Sequence, residues 1–114
     1  MLRLVYVIGI FGITLGGCTN DKEELPAPKT LCDTLKATYS GVIAPLISAQ
    51  CSMPGCHSAG FLYGDFTTHQ GVKEKEAEIR ERVLIQKTMP PSGPLPPAER
   101  QQIECWLNKG APNN

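Results

Sequence analysis

The sequence predicts a small all-α domain built on three main helices. Apolar residues recur at three- and four-residue spacing in three separate segments, and no segment alternates as a half-buried strand does. Gly and Pro mark the connections between those segments. Neither an internal repeat nor a nucleotide-binding glycine loop interrupts this pattern.

The N-terminus is set apart from that domain. Met1-Leu2-Arg3 forms a short basic end, Leu4 to Leu15 is an apolar run of 12 residues, and two small residues precede Cys18. The run is shorter than the about 20 residues a bilayer span needs, so it reads as a targeting segment. Leu15-Gly16-Gly17-Cys18 resembles a bacterial lipobox, which implies cleavage before Cys18 and a diacylglyceryl group on its thiol. The competing reading is an ordinary secretory signal followed by a chance cysteine. The expected division is a signal peptide over 1–17, the lipidated Cys18 with a flexible tether over 18–31, and a folded domain over 32–114. This places the protein in the cell envelope, lipid-anchored to a membrane and facing the periplasm or the cell surface.

Removal of 17 of the 114 residues leaves 97, enough for one small domain with a modest core. The full chain balances eleven basic against eleven acidic residues, and Arg3 is the only charged residue lost, so the mature charge is −1. That balance offers no bulk attraction to nucleic acid or anionic lipid. Thr19 to Leu31 is polar and carries Pro26 and Pro28, the composition of a tether, with a fully extended reach of about 45 Å. Lys22-Glu23-Glu24 resembles the surface-export tag of some Gram-negative lipoproteins. A plain solvated linker accounts for it equally well.

The first helix is expected from about Ser40, as N-cap, to Gln50, with Val42, Ile43, Leu46 and Ile47 on one face. Pro45 is tolerated because it falls near the first turn, where few N–H groups have intrahelical partners. The second helix is expected from about Val72 to Gln86, with Val72, Ile79 and Val83 turned inward. Glu76 with Arg80 and Glu78 with Arg82 have the spacing of ion pairs on a solvated face. The third is expected over Pro97 to Asn108: Pro97 suits position N1, Glu99 favours the first turn, and Gly110 followed by Pro112 ends it. Ile103, Trp106 and Leu107 form its apolar stripe.

The chemistry concentrates in Cys51-Ser-Met-Pro-Gly-Cys56-His57. Two cysteines closed by an immediate histidine are the pattern for covalent haem attachment, here with four intervening residues instead of two. Pro54-Gly55 is a dipeptide able to loop the extra residues out. An electron-transfer iron needs two strong axial ligands, and a thioether sulfur raises its potential relative to a second imidazole. Met89 enters the stiff run Pro90-Pro91-Ser92-Gly93-Pro94, which restricts the backbone and suits a strap that carries a ligand. His69 is the alternative distal ligand and otherwise a surface residue. Met53 reads as a gap-filler near the proximal side. Phe61, Leu62, Tyr63 and Phe66 suit either a flat cofactor or an ordinary core.

These features together resemble a small monohaem c-type cytochrome domain, in the four-residue-gap form borne by lipoproteins. The shared pattern is an N-terminal helix, the Cys-Cys-His site, a charged middle helix, a methionine followed by prolines, and a last helix with Trp106 and Gly110-Ala111-Pro112. It spans about Thr38 to Pro112. The resemblance implies a class I-like fold of three helices wrapped around one haem c, with Cys51 and Cys56 as thioether sites, His57 as proximal and Met89 as distal iron ligand. Leu46, Leu84, Leu95 and Trp106 are expected to pack the haem. Pro96 stands where such domains often carry a Ser or Thr cap. The implied role is electron transfer, not catalysis, by a monomer whose partners are redox proteins and, through its lipid, a membrane.

With Cys18 on lipid and Cys51 and Cys56 in the motif, Cys32 and Cys105 remain for a disulfide in an oxidising compartment. It would close about 74 residues and contribute up to ~4 kcal/mol in the chain-entropy account. The rival from another class is a cofactor-free surface lipoprotein that binds a protein or glycan, with Cys51 and Cys56 also bridged. A closed zinc site is poorly served, since it needs four ligands and His69 is the only additional histidine.

Overall fold

The computed structural model describes residues 30–114. The signal peptide, Cys18 and nearly all of the tether lie outside the described residues. Among the described residues there is no strand, and no helix is long and apolar enough to cross a membrane. The elements in order are α1 (Leu31–Thr34), a π-helical turn π1 (Tyr39–Ile43), α2 (Ala44–Gln50), α3 (His69–Glu74), α4 (Glu76–Ile79), a second π segment π2 (Arg80–Ile85) and α5 (Pro97–Asn108).

Helix α1, not anticipated from the sequence, begins inside the stretch read as tether. The Asp33 carboxylate accepts the Thr30 N–H at 2.8 Å and the Thr30 hydroxyl at 3.0 Å, half of a capping box. Those bonds, the backbone one first, hold the Asp33 carboxyl below its ordinary range. The next helix starts earlier and wider than expected. Thr38, not Ser40, is its N-cap residue, and Ile43 N–H reaches back five residues to the Thr38 carbonyl. Pro45 then falls in the first turn of α2, where the missing N–H costs little.

The expected middle helix is three joined pieces. It begins at His69 because the Thr68 hydroxyl caps it, accepting the Gly71 N–H at 3.1 Å. Lys75, at φ −107° and ψ 18°, breaks the helical path between α3 and α4. From Arg80 onward the spacing opens to five residues, as the Gln86 N–H bond to the Glu81 carbonyl at 2.8 Å shows. Neither expected pair, Glu76–Arg80 or Glu78–Arg82, forms. Among the described residues the ion pair present is Lys75–Glu78 at 3.4 Å, and Arg80 instead donates to the Asn108 side chain at 3.0 Å.

Helix α5 has the expected bounds. Pro96, its N-cap residue, makes no side-chain cap bond. Its C-terminus closes as a Schellman motif: Gly110 N–H bonds to Leu107 O at 3.0 Å and Ala111 N–H to Trp106 O at 3.1 Å, with Gly110 at φ +83°. The tail beyond it is tied down from several elements. Lys73 Nζ donates to Gly110 O, His69 Nε2 to Ala111 O and Trp106 Nε1 to Pro112 O, at 2.7, 2.9 and 2.9 Å.

Ile43, Val72, Cys105 and Trp106 are the largest fully buried side chains, packed with Ile47, Ile79, Val83 and Leu95. Each buried aliphatic or aromatic group of this kind contributes roughly 1.5–3 kcal/mol. Cys32 and Cys105 form the expected disulfide, with Cα atoms 5.1 Å apart, and bolt α1 to α5. Lys109 Nζ, donating to Cys32 O at 2.7 Å, reinforces that junction.

Candidate cofactor site

Helix α2 ends at the motif. Cys51 N–H still bonds to Ile47 O at 2.8 Å, and the chain then turns sharply. Met53-Pro54-Gly55-Cys56 closes on itself through Cys56 N–H to Met53 O at 2.9 Å, with Pro54 and Gly55 in the positions a type II turn favours and Gly55 at φ +83°. His57 N–H then returns to Cys51 O at 2.9 Å. The four intervening residues are thus taken up in a turn, and the His57 N–H bond to Cys51 O ties the two ends of the motif together.

His57 is held on three sides. Its ring stacks on Phe66 at 4.1 Å between centroids and 8° between planes, and Phe61 meets it edge-on at 5.5 Å. Its Nδ1 lies 3.2 Å from the Gly64 carbonyl, an acceptor that fixes the proton on Nδ1. Nε2 is therefore the nitrogen left with a lone pair for a metal. Phe66 N–H to His57 O, at 2.9 Å, ties the two residues through the backbone as well.

Met89 reaches the same place from the other end of the domain. Lys87, at φ +57°, breaks the path out of π2, and Arg82 O then accepts both Thr88 N–H at 2.8 Å and Met89 N–H at 3.3 Å. Beyond it, Pro90 is buried and Gly93 N–H bonds to Pro90 O at 3.1 Å, so the strap is turned and anchored. Met89 itself is 37% exposed.

Cys51, Cys56, His57 and Met89 all line one cavity of about 610 Å³. That volume is in the range of small-molecule and cofactor sites. Ile43, Ile47, Ile79, Val83, Ile103 and Trp106 supply apolar wall, while Phe61, Leu62, Tyr63 and Phe66 all contribute to it, so the aromatics serve the cavity and, through Phe66, the core. Cys51 and Cys56 are free thiols. Burial, with a smaller contribution from Cys56, pushes the Cys51 thiol up to about 11.

Several expected neighbours lie elsewhere. Trp106 lines the cavity, but Leu95 is buried in the core behind it, Leu46 packs on the core, and Leu84 faces a separate groove between π2 and α5. Met53 is not a gap-filler: it is 45% exposed and outside the cavity, because the turn that absorbs the wide gap carries it outward. His69 is also outside the cavity, its Nε2 engaged by Ala111 O and its ring against Tyr39 at 4.7 Å. Glu76, Glu78 and Arg82 are exposed, as expected of a solvated face, and that face runs up to the rim of the cavity. Lys75, Glu78 and Arg82 line the cavity beside Ile79 and Val83, a pattern of positions i, i+3, i+4, i+7 and i+8 that periodicity alone would have flagged. The Gly64 acceptor left no such signal. Among the described residues no three His, Cys, Asp or Glu side chains converge as a metal site, so nothing there resembles a closed zinc centre.

Comparison with family models, with curated proteins and with solved structures returned no match.

Proposed function

We propose that this chain is a membrane-tethered, monohaem c-type cytochrome that relays single electrons between protein partners. The observation that carries the reading is the convergence of Cys51, Cys56, His57 and Met89 on one apolar cavity, although Met89 lies 32 positions beyond His57. The donor set suits the group: two unbridged thiols, an imidazole whose Nδ1 is already engaged, and a thioether on an anchored strap. A bound haem supplies an iron that cycles between ferric and ferrous states.

The residues divide the remaining work. Cys51 and Cys56 would hold the haem through thioether bonds, each thiol adding its S–H across a vinyl group so that attachment needs no oxidant. His57 offers Nε2 in an orientation set by Gly64, Phe61 and Phe66. Met89 would hold the iron through its thioether sulfur, a ligand that raises the potential relative to a second imidazole. A metal held by both His57 and Met89 would offer no open position for oxygen, which suits a relay. The apolar wall excludes water from the metal, and Cys18 lipidation keeps the domain at a membrane of the envelope.

A pyridine haemochrome assay on protein matured in a host competent for cytochrome c assembly tests this directly. One covalently retained haem per chain is expected. Denatured protein that releases all its haem, or carries none, would sink the cytochrome reading and leave the disulfide-stapled binding lipoprotein.

A further inference from the structure

Arg82 belongs to two parts of the site at once. Its carbonyl oxygen carries the Thr88 and Met89 amides, at 2.8 and 3.3 Å, and Arg82, an exposed residue, is among those that line the cavity. The charges around that cavity do not balance. Glu78 is its only lining anion and is paired with Lys75 at 3.4 Å, whereas the Arg82 guanidinium has no hydrogen-bond or ion-pair partner among the described residues. Trp106 is not available as a donor either, since its indole N–H is given to Pro112 O. An uncommitted guanidinium on a residue that lines an apolar cavity is a fork shaped for a carboxylate. A porphyrin is an apolar disc that carries two carboxylates on short chains.

Resting on the haem reading above, we infer that the Arg82 guanidinium pairs with one carboxylate of the cofactor and that Arg82 thereby positions Met89. The pairing restrains the last turn of π2, and the carbonyl of the same residue is what holds the Met89 strap. Arg82 is thus a positioning residue: its side chain grips the ring's acid edge while its backbone sets the distal ligand. Any Arg82 substitution keeps the carbonyl, so a change in Met89 ligation reports on the side chain.

The full chain, matured with haem, is compared as wild type, Arg82→Gln, Arg82→Lys and Arg80→Gln, each normalised to covalent haem. The readouts are the far-red charge-transfer band of thioether-ligated ferric haem, the rate of carbon monoxide binding to the ferrous form, and the potential. Arg82→Gln is expected to weaken the band, speed carbon monoxide binding, and lower the ferrous-to-ferric ratio at fixed potential about tenfold, which is about 59 mV for one electron. Arg82→Lys restores the potential through its charge. Arg80→Gln leaves all three unchanged, because Arg80 lies outside the cavity and bonds to Asn108. A haem-loaded Arg82→Gln protein with wild-type band, rate and potential overturns this assignment alone. A wild type without covalent haem overturns it together with the cytochrome reading.

Discussion

His57 and Phe66 lie face to face, 4.1 Å apart and within 8° of parallel, and the backbone bond from Phe66 N–H to His57 O locks the pair. Phe66 is thereby both a core residue and the surface that sets the imidazole plane. Phe66→Ala should cost about 3 kcal/mol of stability, read by urea unfolding of the soluble domain, whereas Phe66→Leu should cost roughly half as much. Equal costs for the two would mean that the ring stacked on His57, and not side-chain volume, carries the contribution.

Met89 is the only methionine on the cavity wall. In the haem-loaded protein, Met89→Ala should convert the ferric spectrum from low-spin to high-spin and open the iron to added imidazole. His69→Ala should leave that spectrum as it was, since its Nε2 is committed to Ala111 O. A low-spin, unchanged Met89→Ala spectrum would remove Met89 from the iron.

Gly71 has no room for a side chain. A Cβ there would overlap the Asp65 carbonyl, and this is backbone that cannot rotate away. Gly71→Ala should therefore destabilise the domain by at least ~2 kcal/mol, visible as a lowered melting temperature. Gly60→Ala provides contrast, because no atom crowds that position and only its φ of +74° resists substitution. The Gly71 change should be clearly the worse of the two.

The Cys32–Cys105 bridge spans a sequence separation of 73. Its chain-entropy contribution is about 4 kcal/mol, a large part of the stability of a domain this small. The Cys32→Ser/Cys105→Ser double variant should unfold at markedly lower denaturant, and reductant should then have no further effect on it. A double variant as stable as wild type would show that the Lys109–Cys32 contact and core packing suffice.

Protein prepared without haem should lose stability in alkali. The folded Cys51 thiol is raised to about 11, above an unfolded thiol, so the folded state holds its proton where the unfolded chain releases it. The contribution is fully present below the unfolded value near ~8.5, declines as pH rises between the two, and totals roughly 3 kcal/mol. Unfolding curves between those limits should show the decline, and Cys51→Ala should flatten it.

Legibility along the sequence followed how local the determining contacts are. Helix α5 was read to the residue because both ends are marked in place, by Pro97 inside its start and Gly110 past its end. The start of α3 was missed although Thr68 caps it within the same turn, since an apolar stripe, not a cap, was used to place it. The π segments were not legible. Each carries one buried residue, Ile43 or Val83, and nothing in the periodicity distinguishes five residues per bond from four.

The sequence by itself determined the helical class, marked Pro54-Gly55 as able to turn, and left Cys32 and Cys105 as the candidate pair, because each follows from neighbouring residues or from the small number of cysteines; the bridge itself is seen in the structure. Only the tertiary structure decided what surrounds the motif. It brought Met89 to the wall that Cys51, Cys56 and His57 occupy, set Lys75 and Arg82 among the residues that line the cavity, and sent Leu84 and His69 elsewhere. The physical reason is distance along the chain: a cap or turn is settled by bonds within a few residues, whereas a cavity exists only after the helices around it have packed.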